Sequence, residues 1–148
     1  MATNKGNRVT LALIAFSILA GLAWTIGPYI FASRDISTAI DSDVVRKRAE
    51  QACERMVKRI AAGTPVDQSA RSMVEQIRAL GPEVLEKDKP TERWLNDWDD
   101  LLDAHAAGKP IPEMGGGVRI TRRMDDLVKD INHCEVPDQL QPRNFGKS

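Results

Sequence analysis

The sequence has no surplus of either charge: 21 Lys and Arg stand against 21 Asp and Glu in 148 residues. A chain so balanced has no clustered basic face for a phosphate backbone, and nucleic acid is excluded as a partner. Cysteine is almost absent, with two in all, and histidine is equally rare. A tetrahedral zinc site would consume Cys53, Cys134, His105 and His133 together, without the usual ligand spacings, so no metal is expected. There is no C-x-x-C pair, G-x-S-x-G elbow or H-E-x-x-H helix, and Gly115-Gly116-Gly117 has neither a preceding strand nor a following G-K-[ST]. No cofactor is expected, and the chain reads as a non-enzyme.

What is present begins with an uncharged run from Val9 to Phe31. As a helix it would be about 34 Å long, enough to cross a bilayer core of about 30 Å with some tilt. The competing reading is a cleaved signal peptide, with Lys5 and Arg8 as its basic start and Gly21-Leu22-Ala23 as its cleavage site. Against cleavage, the run stays apolar beyond that point, through Trp24, Ile26, Tyr29, Ile30 and Phe31. No cysteine near its end permits a lipoprotein signal. The expectation is a single-pass plasma-membrane protein: a tail over 1–8, a transmembrane helix over 9–31, a linker over 32–42, a helical domain over 43–138 and a flexible tail over 139–148. Its partners would be the lipid bilayer and other membrane or envelope proteins.

Lys5 and Arg8 flank the run closely on one side, whereas the other side offers only Arg34 before Arg46. This asymmetry places the N-terminus in the cytoplasm and the domain outside it. Trp24, Tyr29 and Phe31 gather at the far end, where aromatic side chains favour the interface, and Pro28 kinks or ends the helix. Ser17, Gly21 and Thr25 recur every fourth residue, a small-residue stripe that would admit a second transmembrane helix. Such stripes also arise by chance.

Beyond residue 42 the apolar positions follow a helical period. Val45, Ala49, Ala52, Cys53, Met56, Val57 and Ile60 predict a first helix ended by Gly63. Thr64-Pro65 predicts an N-cap, with Asp67 reaching back to it, for a second helix carrying Val66, Ala70, Met73, Val74, Ile77 and Leu80. Glu83 to Lys89 offers a short helical turn. Thr91 is the expected cap of a third helix, with Trp94, Leu95, Trp98, Leu101, Leu102 and His105 on its apolar side. Lys109 to Gly117 reads as a loop, Val118 to Ile120 as briefly extended, and Thr121 onward as a last helix presenting Met124, Leu127, Val128 and Ile131. The fold expected is mainly α, a four-helix extracytoplasmic domain behind one membrane helix.

Cys53 and Cys134 each fall on an apolar stripe, and an extracytoplasmic domain permits a disulfide between them. The alternative is two unrelated buried thiols. Trp94, Asp97 and Trp98 offer either a ligand or partner surface or, for the tryptophans, a core anchor. Asp97, Asp99, Asp100 and Asp103 read as a solvated acidic face, since the loop spacing of a calcium site is missing.

Trp94-Leu95-Asn96-Asp97-Trp98, Ile120-x-x-x-Met124-x-x-Leu127 and Asn132-His133-Cys134-Glu135-Val136-Pro137 together resemble a group of single-pass actinobacterial membrane proteins with no assigned activity. That group has an N-terminal membrane helix, an early cysteine, a Trp-x-x-Asp-Trp segment and a late Asn-x-x-Cys-x-x-Pro ending. Here Asp103 to Lys109 lacks the group's Arg and Tyr-Ala, and Asn132 stands closer to Cys134. The resemblance implies a cell-envelope location and a bridge between Cys53 and Cys134. The functional expectation is a non-enzymatic, membrane-anchored accessory protein of a larger membrane or envelope assembly. The alternative is an envelope ligand-binding module built on Trp94, Asp97 and Trp98.

Overall fold

Gly63 makes the first reversal among the described residues, at φ +91°, a conformation that glycine adopts without a Cβ penalty. It ends helix α1, Asp43–Ala61, while the Thr64 N–H donates back to the Arg59 carbonyl at 2.9 Å and satisfies an orphan of the last turn. Helix α2, Val66–Arg78, then returns along α1. The computed structural model describes residues 40–146, and the run Val9–Phe31 with its Ser17, Gly21 and Thr25 stripe lies outside them.

The remaining elements are a single turn α3, Pro82–Leu85, the long helix α4, Lys89–Ala106, a hairpin of β1, Glu113–Met114, and β2, Val118–Arg119, then α5, Ile120–Leu127, and a 3-10 turn at Asp138–Leu140. Mainly helical architecture is therefore what the chain adopts, with five α-helices among the described residues. Packing is sequential: α1 on α2, α2 on α4, and α4 on α5. The α2–α4 contact is antiparallel and edged by Asp67 with His105, Arg71 with Asp103, and Arg78 with Asp99.

One apolar cluster unites these faces. Val45, Ala49, Cys53 and Met56 from α1, Met73 and Ile77 from α2, Trp94, Trp98 and Leu101 from α4, and Met124 from α5 are all buried within it. Trp94 and Trp98 meet edge to face, with ring centroids 6.2 Å apart and planes at 81°. Two large rings in that geometry fill the space between three helices and add the favourable edge–face quadrupole contact.

Several local expectations are corrected. Thr64 does not cap α2: the N-cap position is Pro65, no side chain caps it, and Asp67 pairs with His105 instead. Nor does Thr91 cap α4. That helix starts earlier, at Lys89, and its cap is Asp88, which accepts from the Thr91 N–H at 3.2 Å. The second oxygen of the same buried carboxylate accepts from the Ser42 N–H at 3.0 Å, so one aspartate holds both the start of α4 and the strand of chain entering α1. The Pro- and Gly-rich stretch is not wholly loop, because Glu113 and Met114 pair antiparallel with Arg119 and Val118 around the glycines. Helix α5 ends at Leu127 rather than continuing toward Ile131.

Both edges of the expected domain also move outward. Ile40, assigned to the linker, is 2% exposed and its N–H reaches the Leu127 carbonyl at 3.4 Å. Leu140 is wholly buried and Phe145 packs its ring on His105 at 5.1 Å. The segment expected to be a loose tail is thus pinned to the core by Leu140 and, less deeply, by Phe145, while Gln139, Pro142, Arg143 and Gly146 between and beyond them stay exposed.

Candidate functional site

Three residues were the sequence's best candidates for a binding surface, and the fold removes them from the surface. Trp94 and Trp98 are 0% exposed and Asp97 is 3% exposed. The reason is geometric: positions 94, 98 and 101 share one face of α4, and that face is the one covered by α2 and α5. The tryptophans are core anchors. Asp97 leaves the expected acidic face too, while Asp99 and Asp103 remain exposed and pair with Arg78 and Arg71.

A buried carboxylate needs a partner, and Asp97 has one that sequence spacing did not reveal. Arg123 of α5 donates from Nε to Oδ2 at 2.9 Å and from a terminal nitrogen to Oδ1. This fork-to-fork pairing satisfies both oxygens in one plane. The hydrogen bond to Asp97 holds the Arg123 guanidinium even further above its ordinary pKa, more than burial opposes it. The arrangement fixes the angle of α5 on α4. It leaves neither group free for a ligand.

The second cluster is the disulfide. The Sγ atoms of Cys53 and Cys134 are 2.03 Å apart, the Cα atoms are 5.1 Å apart, and both residues are 0% exposed. The segment following α5 runs alongside α1 to reach it. Arg46 donates to the Asp130 carbonyl at 3.4 Å and Asn132 donates to Glu50 at 2.9 Å, one step after another toward the bridge. His133, immediately before Cys134, takes φ +66°, the left-handed conformation, to turn the cysteine inward. Burial on all sides leaves these sulfurs no path to a substrate.

His105 is the one histidine inside the fold. Its Nδ1 sits 3.0 Å from Oδ2 and 2.9 Å from Oδ1 of Asp67, with Phe145 across its ring. The interaction closes the α2–α4 contact beneath the C-terminal segment. Among the described residues no group of three or more His, Cys, Asp or Glu side chains is arranged to hold a metal ion. Nor is any helix among them long and apolar enough to cross a membrane.

A groove of about 530 Å³ with several charged walls lies over the outer side of α5. Arg119 and Arg122 lie toward its β2 end, Asp125 and Asp126 farther along the helix, and Thr121 and Gln141 complete its sides. Its volume is in the range of small-molecule sites. Asp125 is half-buried at its floor, accepting from the Val136 N–H at 2.8 Å and from Gln141 Nε2 at 3.3 Å. Burial lifts its carboxyl above the ordinary aspartate range, and the neighbouring carboxylates of Glu135 and Asp126 lift it further, against those two hydrogen bonds. None of these groups stood out in the sequence. The available signal was a polar stripe, Arg119, Arg122 and Asp126, at helical spacing opposite the apolar stripe of Ile120, Met124 and Leu127. A smaller hollow of about 300 Å³, lined in part by Val57, Ile60 and Pro137, lies between the end of α1 and the segment after the disulfide.

Comparison with protein-family models, curated proteins and solved structures gives no match for this chain.

Proposed function

We propose that this chain is a membrane-anchored accessory protein without enzymatic activity of its own, whose stapled helical domain stands outside the cytoplasm and engages a larger membrane or envelope assembly. One observation carries the reading: the wholly buried Cys53–Cys134 disulfide. Such a bridge forms and persists in an oxidising compartment, and the uncharged run Val9–Phe31 with Lys5 and Arg8 before it supplies the tether and the orientation. The layout shared with single-pass actinobacterial membrane proteins supports the same assignment. The domain's most distinctive side chains serve cohesion: the tryptophans fill the core and Asp97 is consumed by Arg123. Within the bilayer, Ser17, Gly21 and Thr25 would pack against a partner helix.

The test is the intact mass of protein taken from its native membrane, with and without reductant, together with chemical crosslinking in that membrane before extraction. The expected result is a chain that retains the Val9–Phe31 run, gains two hydrogens on reduction and crosslinks to another membrane protein. A chain cleaved after Ala23, two free thiols, or a species that crosslinks to nothing would each defeat a stated part of the proposal.

A further inference from the structure

The groove over α5 separates its charges by sign from the end of β2 along the helix that follows. Arg119 and Arg122 occupy the β2 end, and Asp126 follows one turn beyond Arg122, with Asp125 beside it. Among the described residues, Arg119, Arg122, Asp125 and Asp126 take part in no ion pair. Arg122 before Asp126 is the weaker order for a pair four apart on a helix, so little draws the two exposed side chains together and both remain open to the groove. Asp125 has the carboxylates of Glu135 and Asp126 as its charged neighbours and the Val136 N–H and Gln141 amide as its donors. The groove thus presents a cationic end and an anionic end, neither closed on a salt bridge among the described residues. From Arg119, at the N-cap of α5, to Asp126 the chain advances about 10 Å.

We propose that this groove binds a short zwitterionic peptide lengthwise, its terminal carboxylate held by Arg119 and Arg122 and its terminal ammonium by Asp126 and Asp125. Arginine presents a planar fork that matches a carboxylate, and two of them at one end select that group over a neutral amide. An extended tripeptide spans about 10 Å, which matches the reach from Arg119 to Asp126, while Arg122, about 6 Å from Asp126, lies alongside the peptide near its carboxylate. A volume of about 530 Å³ accommodates a molecule of that size with small side chains. Asp125 is the more deeply set carboxylate, and an arriving ammonium relieves the repulsion that Asp126 and Glu135 impose on it. Gln141 stands beside Asp125, its amide nitrogen donating to Asp125 and to the Val136 carbonyl, which leaves its carbonyl oxygen to accept from a peptide N–H. The inference concerns a site in the domain alone and stands whether or not residues 9–31 form an anchor.

Tri-alanine with free termini is the probe, titrated calorimetrically into the full-length chain in detergent micelles. The same peptide with an amidated C-terminus, and again with an acetylated N-terminus, should bind about tenfold more weakly, a loss of about 1.4 kcal/mol for each end. Arg122→Gln should weaken the free peptide by a similar factor while leaving the amidated peptide unchanged, and Asp126→Asn should do the same for the amino end. Both positions are exposed, so an unchanged circular dichroism spectrum and an intact disulfide confirm that each variant is folded. The proposal is overturned by equal binding of blocked and free peptides, by variants that bind like the parent, or by no heat up to about 10 mM peptide, which would put any affinity below the millimolar range.

Discussion

Asp97 on α4 and Arg123 on α5 form a two-point ion pair in which the carboxylate is 4% exposed and the guanidinium 32%. Almost all the desolvation falls on the acid, so the arginine's loss would strand a charge in the core. Arg123→Met should destabilise the protein by about 3 kcal/mol, at the lower end for a broken buried pair because the arginine keeps a third of its side chain in water. Adding Asp97→Leu to that variant should recover most of the loss. Urea denaturation midpoints of the two variants and the parent would decide it; equal midpoints for all three would show that the pair is incidental.

The disulfide joins residues 81 apart in sequence. In chain-entropy terms it contributes about 4–5 kcal/mol by constraining the unfolded chain. Cys53→Ala with Cys134→Ala should therefore lower Tm by on the order of 20 °C. Calorimetry with and without reductant checks this, and the double variant should be insensitive to reductant.

Asp125 gives stability a pH dependence of a defined sign. Its folded pKa lies above the ordinary value of 3.8, so the folded state holds the proton more tightly than the unfolded state does. The contribution is complete below pH 3.8 and is lost as pH rises through the raised value. The stability of the parent relative to Asp125→Asn should fall across that window. A difference that is flat with pH, measured by chemical denaturation from acid to neutral, would contradict it.

His133 holds a left-handed backbone with φ +66° one residue before the bridged cysteine. A β-branched side chain is a poor occupant of that region, and His133→Val should destabilise by about 1–2 kcal/mol, whereas His133→Gly should be tolerated or stabilising. Thermal melts should place the valine variant below the parent and the glycine variant at or above it. A valine variant as stable as the glycine variant would count against the strain.

Much of this architecture could be read along the chain. The three-and-four spacing of Val45, Ala49, Ala52 and Met56, and of Met73, Val74 and Ile77, named the buried faces correctly, because a helix returns to the same side every 3.6 residues whatever it packs on. The stop at Gly63 was equally plain. The caps were not: Thr64 and Thr91 carry the right side chains, yet Asp88 outcompeted Thr91 because it also serves Ser42, a residue far away in sequence. The candidate surface failed for a related reason. Trp94 and Trp98 announce one helix face but not whether that face meets water or another helix.

Local periodicity and composition by themselves determined that residues after 42 form amphipathic helices, that two cysteines sit on apolar stripes, and that Val9 to Phe31 is an uncharged run. Those properties depend on neighbours within a turn or two. Tertiary structure alone decided that Arg123 answers Asp97, that Asp67 answers His105, that Leu140 and Phe145 complete the domain, and that the charges over α5 face one groove. Each of these joins residues on separate elements, and a one-dimensional pattern carries no record of which helix faces meet.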